Sequence, residues 1–255
     1  MPLIKPVGLG GSVVVVTGAS RGLGAAFAEA LASEGAKVVI CARDRAGLDS
    51  VCKKIVKNGG VCSGHVVDVT NSTEVSGFVS NVIKAHGRID VLVNNAGAVH
   101  RFGPVERISE EEYSVCMRTN VDSVFHFLKS VIPHMKKMGK GVIVNVSSGA
   151  GRRAHANLSV YAASKFAVEA FTQAVARELE GEKSAVGCIA LCPGGINTGM
   201  RAAVFGMEDA LKQQSPESVA AVLRDVLLGK VGVPNGGDVL IRQGAVVEVS
   251  DNLSK

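Results

Sequence analysis

A chain of 255 residues with 47% hydrophobic residues and 30 glycines can bury one large core crossed by many tight turns, and open α/β folds of this size are common. The formal charge is +5, yet the 28 basic residues are scattered among 23 acidic ones with no long basic run or basic–aromatic repeat, which argues against a nucleic-acid partner. The β-branched run at residues 13–16 is too short for a signal or membrane segment, so the expectation is a cytoplasmic protein without a membrane partner.

In chain order, residues 1–11 read as a leader segment, with Pro2, Pro6 and three nearby glycines. Residues 12–16 have the composition of a buried parallel strand. Thr17-Gly18-Ala19-Ser20-Arg21-Gly22-Leu23-Gly24 follows and opens an alanine-rich helix that ends near Glu34-Gly35. Strand, glycine turn, helix is the context in which glycines signal a phosphate site. Gly18 permits the tight turn, Gly22 lets a pyrophosphate approach the helix N-terminus, and Gly24 allows close helix–strand packing. The spacing departs from Gly-x-Gly-x-x-Gly between the first two glycines.

The alternation continues with a second strand at 37–41 and a helical stripe of Leu48, Val51, Cys52, Ile55 and Val56 that stops at Asn58-Gly59-Gly60. A third strand is expected at 61–67. Asn71 and Glu74 have capping-box spacing before the stripe Val75, Phe78, Val79, Val82, Ile83. A fourth strand at 90–93 ends at Asn94-Asn95-Ala96-Gly97. Ser109 and Glu112 repeat the capping-box spacing and open one long helix towards Met135.

A fifth strand at 141–146 leads into Ser147-Ser148, and residues 158–179 form a helix apolar on most sides. The sixth strand, 186–191, closes on Cys192-Pro193-Gly194-Gly195; Ser215 caps a helix with Pro216 in its first position; a short last strand covers 238–241. No linker or repeat interrupts the series. The expected architecture is therefore a single α/β domain over residues 12–255, a Rossmann-type doubly wound sheet, parallel throughout, with its switch point after the first strand.

Six cysteines (Cys41, Cys52, Cys62, Cys116, Cys188, Cys192) fall mostly in apolar runs. No Cys-x-x-Cys has a matching partner pair, so reduced core thiols are expected and no metal site. The chemically suggestive stretch is Tyr161-Ala-Ala-Ser-Lys165. Residues four apart on a helix share a face, and an ammonium beside a phenol favours the phenolate. Such a pair can serve as a general acid–base group near neutral pH. Taken alone it equally describes a solvated helix face.

With those residues in place, the chain resembles the short-chain dehydrogenase/reductase family over roughly residues 12–230. The motifs that carry the resemblance are Thr17-Gly18-x-x-x-Gly22-x-Gly24, Asp68, Asn94-Asn95-Ala96-Gly97, Asn120, Ser148, Tyr161-x-x-x-Lys165 and Pro193-Gly194-x-Ile196-x-Thr198. The resemblance implies that Tyr161 protonates a carbonyl oxygen. Lys165 then lowers the tyrosine pKa and holds the nicotinamide ribose, and Ser148 hydrogen-bonds the substrate oxygen, with Ser147 as the rival. Asn120 anchors a relay water. It also implies cofactor contacts from Thr17, Gly18, Ser20, Arg21, Gly22, Leu23 and Gly24, from Asp68 and Val69 at the adenine, from Asn95, Ala96 and Gly97 on the floor, and from Pro193, Gly194, Ile196 and Thr198 at the nicotinamide.

Charge argues for NADP(H): the segment after the second strand reads Cys41-Ala42-Arg43, with no acid until Asp44, and Arg21 and Arg43 suit a 2′-phosphate. The expected activity is reduction of a small carbonyl substrate. The alternatives are a 3-oxoacyl-thioester reductase working on an acyl carrier protein and a non-catalytic NADP-binding regulator. Glu182, where carrier-dependent relatives have an arginine, speaks against an acidic carrier, although Lys136, Lys137 and Lys140 lie nearby. His100, Arg101, Arg152, Arg153 and His155 could meet an anionic substrate. The second apolar side of the 158–180 helix predicts a homodimer or homotetramer.

Overall fold

Five consecutive buried residues, Val13–Thr17 (β1), begin the series, and the run lacks polar alternation because both of its faces are covered. The computed structural model describes residues 2–251. In chain order there follow Gly22–Ser33 (α1), Lys37–Ala42 (β2), Arg45–Lys57 (α2), Val61–Val66 (β3), Ser72–His86 (α3) and Val91–Asn94 (β4). Glu110–Met117 (α4), Ser123–Met138 (α5), Gly141–Val146 (β5), Gly149–Arg152 (α6), Ser159–Gly181 (α7) and Val186–Pro193 (β6) come next. The chain continues through Gly199–Phe205 (α8), Met207–Leu211 (α9), Pro216–Leu227 (α10), Asp238–Arg242 (β7) and Ala245–Ser250 (β8).

The eight strands form one sheet in the order β3-β2-β1-β4-β5-β6-β7-β8. The strand order reverses between β1 and β4, which opens a crevice at their carboxyl ends. Alternate residues of β1 feed two cores. Val14 and Val16 pack with Phe27 of α1, Leu48 of α2 and Leu223 of α10. Val13 and Val15 pack on the other face with Phe78 of α3, Phe127 of α5 and Val175 of α7. Residues 2–11 lie against the body: Ile4 N donates to Val233 O at 2.9 Å, and Leu9 is buried. No helix among the described residues is long and apolar enough to cross a membrane.

Three expectations change. At α3, the Asn71 side chain accepts from the Thr73 and Glu74 amides, but the Glu74 carboxylate turns to the Asp68 amide at 2.8 Å, so the capping box is left half made. The box at Ser109 and Glu112 is complete, yet the long helix it opens is divided: residues Arg118–Asp122 form a π-helical turn between α4 and α5. Finally, the sheet is not parallel throughout, because β8 returns antiparallel to β7. Its two-residue turn, Gln243-Gly244, has positive φ at both positions (50° and 74°), the geometry of a tight hairpin whose usual Asn-Gly signal is missing here.

Candidate active site

A cleft of about 1010 Å³ lies along the carboxyl ends of β1, β4, β5 and β6. Its floor is the glycine turn. Gly18 has φ 64°, and a Cβ there would stand 2.7 Å from Ala96 Cα, so a side chain would push the β1 turn off the β4 loop. Asn95 braces the turn by donating from Nδ2 to Thr17 O at 2.8 Å and Gly18 O at 3.2 Å. Thr17 answers with its hydroxyl oxygen, which accepts from the Asn95 and Ala96 amides at 2.9 Å each. Thr17 is therefore buried behind the turn and does not line the cleft, while Gly18, Ser20, Arg21, Gly22, Leu23 and Gly24 do. Helix α1 starts with no side-chain cap, which leaves its first N–H groups for an anion.

At one end of the cleft stand Arg21, Arg43, Asp68 and Val69. Both arginines are exposed. Asp44, the first acid after β2, spends a carboxylate oxygen capping α2 through the Gly47 amide at 3.1 Å. Burial pushes the Asp68 carboxyl up, but hydrogen bonds from the Thr70 amide and hydroxyl, with the charges of Arg43 and Arg118, bring it below its ordinary value.

Ser148, Tyr161 and Lys165 meet in the middle. The Ser148 hydroxyl accepts from the Ala150 amide at 3.1 Å and lies near enough to the Tyr161 phenol to favour its ionised form. Ser147, by contrast, is buried and donates to the Lys165 backbone carbonyl at 3.2 Å. Lys165 Nζ lies 5.8 Å from the Tyr161 ring centre and donates to Val146 O at 2.8 Å. Burial pushes this ammonium down to about 8 and the Tyr161 phenol up. Desolvation is the largest influence on the phenol, and the group that opposes it is the Ser148 hydroxyl rather than Lys165.

Asn120 sits in the π turn and, like Thr17, is buried behind the cleft. It donates to Ala98 O at 2.9 Å and Ser164 Oγ at 2.8 Å and accepts from the Ala98 amide at 2.7 Å. Those contacts tie the loop after β4 to α7. Gly97 lies beside this network: a Cβ there would meet Asn120 Oδ1 at 3.4 Å and Lys165 Nζ at 3.8 Å, in ordinary contact. Ala98, Ser164 and the Val146 carbonyl have no motif that sequence reading could have found.

Pro193, Gly194, Ile196 and Thr198 close the cleft's other wall, and Thr198 caps α8 by accepting from the Arg201 amide at 3.2 Å. His100, Arg101 and Met200 line the substrate end. The rings of Phe102 and Phe205 meet at a tilt of 59° with their centres 5.3 Å apart. The arginines expected to greet an anion are largely committed. Arg101 pairs with Glu112 at 3.3 Å, and Arg152 pairs with Glu248 at 2.7 Å and Asp238 at 3.2 Å. Behind α7, Glu169 accepts a hydrogen bond from the Cys192 thiol at 2.9 Å, close to Asp238.

A doubly wound sheet with a glycine turn at its switch point and a serine–tyrosine–lysine set across the cleft defines a Rossmann-type oxidoreductase using a nicotinamide dinucleotide. Residues 12–209 match the family model described as short chain dehydrogenase, and the chain belongs to that family. It is 34% identical over 232 residues to the NADPH-dependent pterin aldehyde reductase of Arabidopsis thaliana, covering 89% of this chain and 92% of that protein. It is 37% identical over 226 residues to a 3-oxoacyl-[acyl-carrier-protein] reductase of Vibrio cholerae, covering 89% and 86%. The 3-ketoacyl-(acyl-carrier-protein) reductase of Brucella melitensis, complexed with NADH, superposes with a TM-score of 0.84 at 30% identity, covering 92% of this chain and 98% of that one.

Proposed function

We propose that the protein reduces a free carbonyl compound to its alcohol with NADPH. The observation that carries this reading is that Ser148, Tyr161 and the buried Lys165 line the same cleft as the uncapped α1 N-terminus. When bound, the nicotinamide supplies the hydride. The chain's own part is to position and protonate. Ser148 donates to the substrate oxygen, Tyr161 gives it the proton, and Lys165 holds positive charge beneath both. Asn120 has its side-chain oxygen and amide engaged, so a relay water would hang on backbone loosened by the π turn rather than on the side chain.

NADPH is favoured over NADH because Arg21 and Arg43 are exposed at the cleft while Asp44 is occupied in capping. The pterin aldehyde reductase is NADPH-dependent by name, whereas the Brucella enzyme was seen with NADH, so the arginines are what support the choice. A second reading, reduction of carrier-bound 3-oxoacyl chains, rests on the carrier-dependent relatives. Against it, Lys136 is ion-paired with Glu182, which removes one of the lysines that would attract an acidic carrier.

For assembly we infer a homodimer or homotetramer. Ala163, Phe166, Ala170 and Ala174 form an exposed stripe on α7, with Phe125 of α5 exposed and its ring 6.3 Å from Phe171. Light scattering that gives the monomer mass of 26.3 kDa at micromolar concentration would sink this.

The deciding experiment follows NADPH absorbance over a panel of aldehydes, ketones and a 3-oxoacyl thioester offered free and carrier-linked. Turnover of free carbonyls, abolished in Tyr161→Phe with NADPH still bound, is the expected result. Binding without turnover of any carbonyl would point to a regulator. A carrier-linked substrate preferred by about tenfold, equal to roughly 1.4 kcal/mol, would move the reading to fatty-acid chemistry.

A further inference from the structure

Two of the six cysteines are close enough to react with each other. Cys52 on α2 and Cys62 on β3 hold their Sγ atoms 2.7 Å apart. Both are free thiols at partly exposed positions, whereas Cys41, Cys116, Cys188 and Cys192 are buried.

The local chain makes this contact. Helix α2 ends at Lys57 and the backbone doubles back through Asn58-Gly59-Gly60, with φ 82° at Gly59. A Cβ at Gly60 would stand 2.7 Å from Ile55 Cγ2, so the return is as tight as glycine allows. Two residues beyond Cys62, on the same face of β3, Gly64 lets α2 pack close to the strand: a Cβ there would lie 3.2 Å from Leu48 Cβ and 3.4 Å from Cys52 Sγ. A disulfide needs its sulfurs at about 2.0 Å, which small side-chain rotations can supply here. Cys52 also opens onto a shallow surface groove lined by Asp49, Lys53, Val56 and Lys57, where a small oxidant can reach it. Cys62 lines no part of that groove, and burial raises its thiol pKa so that it waits in the protonated form.

We propose that Cys52 and Cys62 are a redox modification site that closes to a reversible intramolecular disulfide with a peroxide as co-reactant. Cys52 sulfur attacks the peroxide, the O–O bond breaks, Cys52 becomes a sulfenic acid and one water leaves. Cys62 sulfur then attacks the Cys52 sulfur, the S–O bond breaks, and the Cys62 proton departs with the hydroxide as a second water. Two thiols lose two electrons and one hydrogen peroxide is reduced to two waters. A dithiol returns the pair to thiols. The bond ties α2 to β3, which among the described residues is the edge strand beside β2, and so restrains the unfolded chain and the sheet edge together. The pair lines no part of the cleft.

The test treats the full chain with hydrogen peroxide, alkylates it, and reads intact mass and tryptic peptides. The expected result is loss of two alkylatable thiols and of the mass of two hydrogens, with residues 46–53 joined to 58–84 until dithiothreitol is added. Melting temperature should rise by a few degrees on oxidation, and both changes should vanish in Cys52→Ser and in Cys62→Ser. Unlinked peptides with both thiols alkylated, Cys52 trapped as a sulfinic acid, or chains linked to one another would each overturn the proposal. None of these readouts depends on turnover.

Discussion

Lys165 donates from Nζ to the Val146 carbonyl oxygen at 2.8 Å, a buried ammonium held by a neutral backbone acceptor. Its pKa falls from 10.5 to about 8, chiefly through desolvation. The sign follows. Between those values the unfolded chain binds the proton and the folded chain does not, so stability rises as pH climbs through that window. Below it the protein carries a penalty of roughly 3 kcal/mol. Lys165→Met should therefore raise the melting temperature of the ligand-free protein by a few degrees at pH 7 while abolishing turnover. A lower melting temperature would mean that the bond to Val146 outweighs desolvation.

Reduction also needs that ammonium charged, and the Tyr161 phenol, pushed up by burial, stays protonated to higher pH. Reductive kcat/KM should be level below about pH 8 and fall above it as Lys165 loses its proton. A pH profile at saturating NADPH reads this directly; a rate that climbs from pH 8 to 10 contradicts it.

The two adjacent serines should separate cleanly. Ser148→Ala removes the hydroxyl beside Tyr161 and should lower kcat by about 10²–10³ with little change in cofactor affinity. Ser147→Ala removes a bond to the Lys165 carbonyl and should act mainly on stability, by about 1 kcal/mol. Steady-state kinetics beside thermal melts distinguish them, and a reversed pattern would exchange their roles.

Ala42→Asp with Arg43→Leu trades phosphate donors for a ribose acceptor beside the cleft. The ratio of kcat/KM for NADPH over NADH should drop by at least about tenfold. A wild-type protein that already prefers NADH would contradict the reading of Arg21 and Arg43.

Asn120→Leu should cost about 1–3 kcal/mol, because it removes a partner of the part-buried Ala98 amide and carbonyl and leaves the Ser164 hydroxyl with its bond to Tyr161 O. Activity should fall with it as the Ala98 loop shifts from Lys165. Denaturant unfolding measures the loss; a change below about 0.5 kcal/mol would show that the network is dispensable.

What the sequence determined by itself was whatever depends on local chemistry repeated in order. The β-branched runs, the capping residues Ser109 and Ser215, the glycine turn at 18–24 and the Tyr161–Lys165 spacing are each short-range, and their alternation dictates a doubly wound sheet. Tertiary structure decided what depends on groups distant in the chain. The π turn at Asn120 carries a side chain bound by Ala98 and Ser164, 22 and 44 residues away, contacts that no local spacing announces. Glu74 abandons its capping box for the Asp68 amide, and Thr17 turns from cleft to brace because Asn95 and Ala96 donate to it. Strand β8 is added by a Gln243-Gly244 turn that carries no strong sequence signal, and Arg152 is taken up by Glu248 and Asp238 only once β7 and β8 lie side by side. Burial, likewise invisible to residue spacing, pushes the Lys165 ammonium down to about 8 and the Tyr161 phenol up.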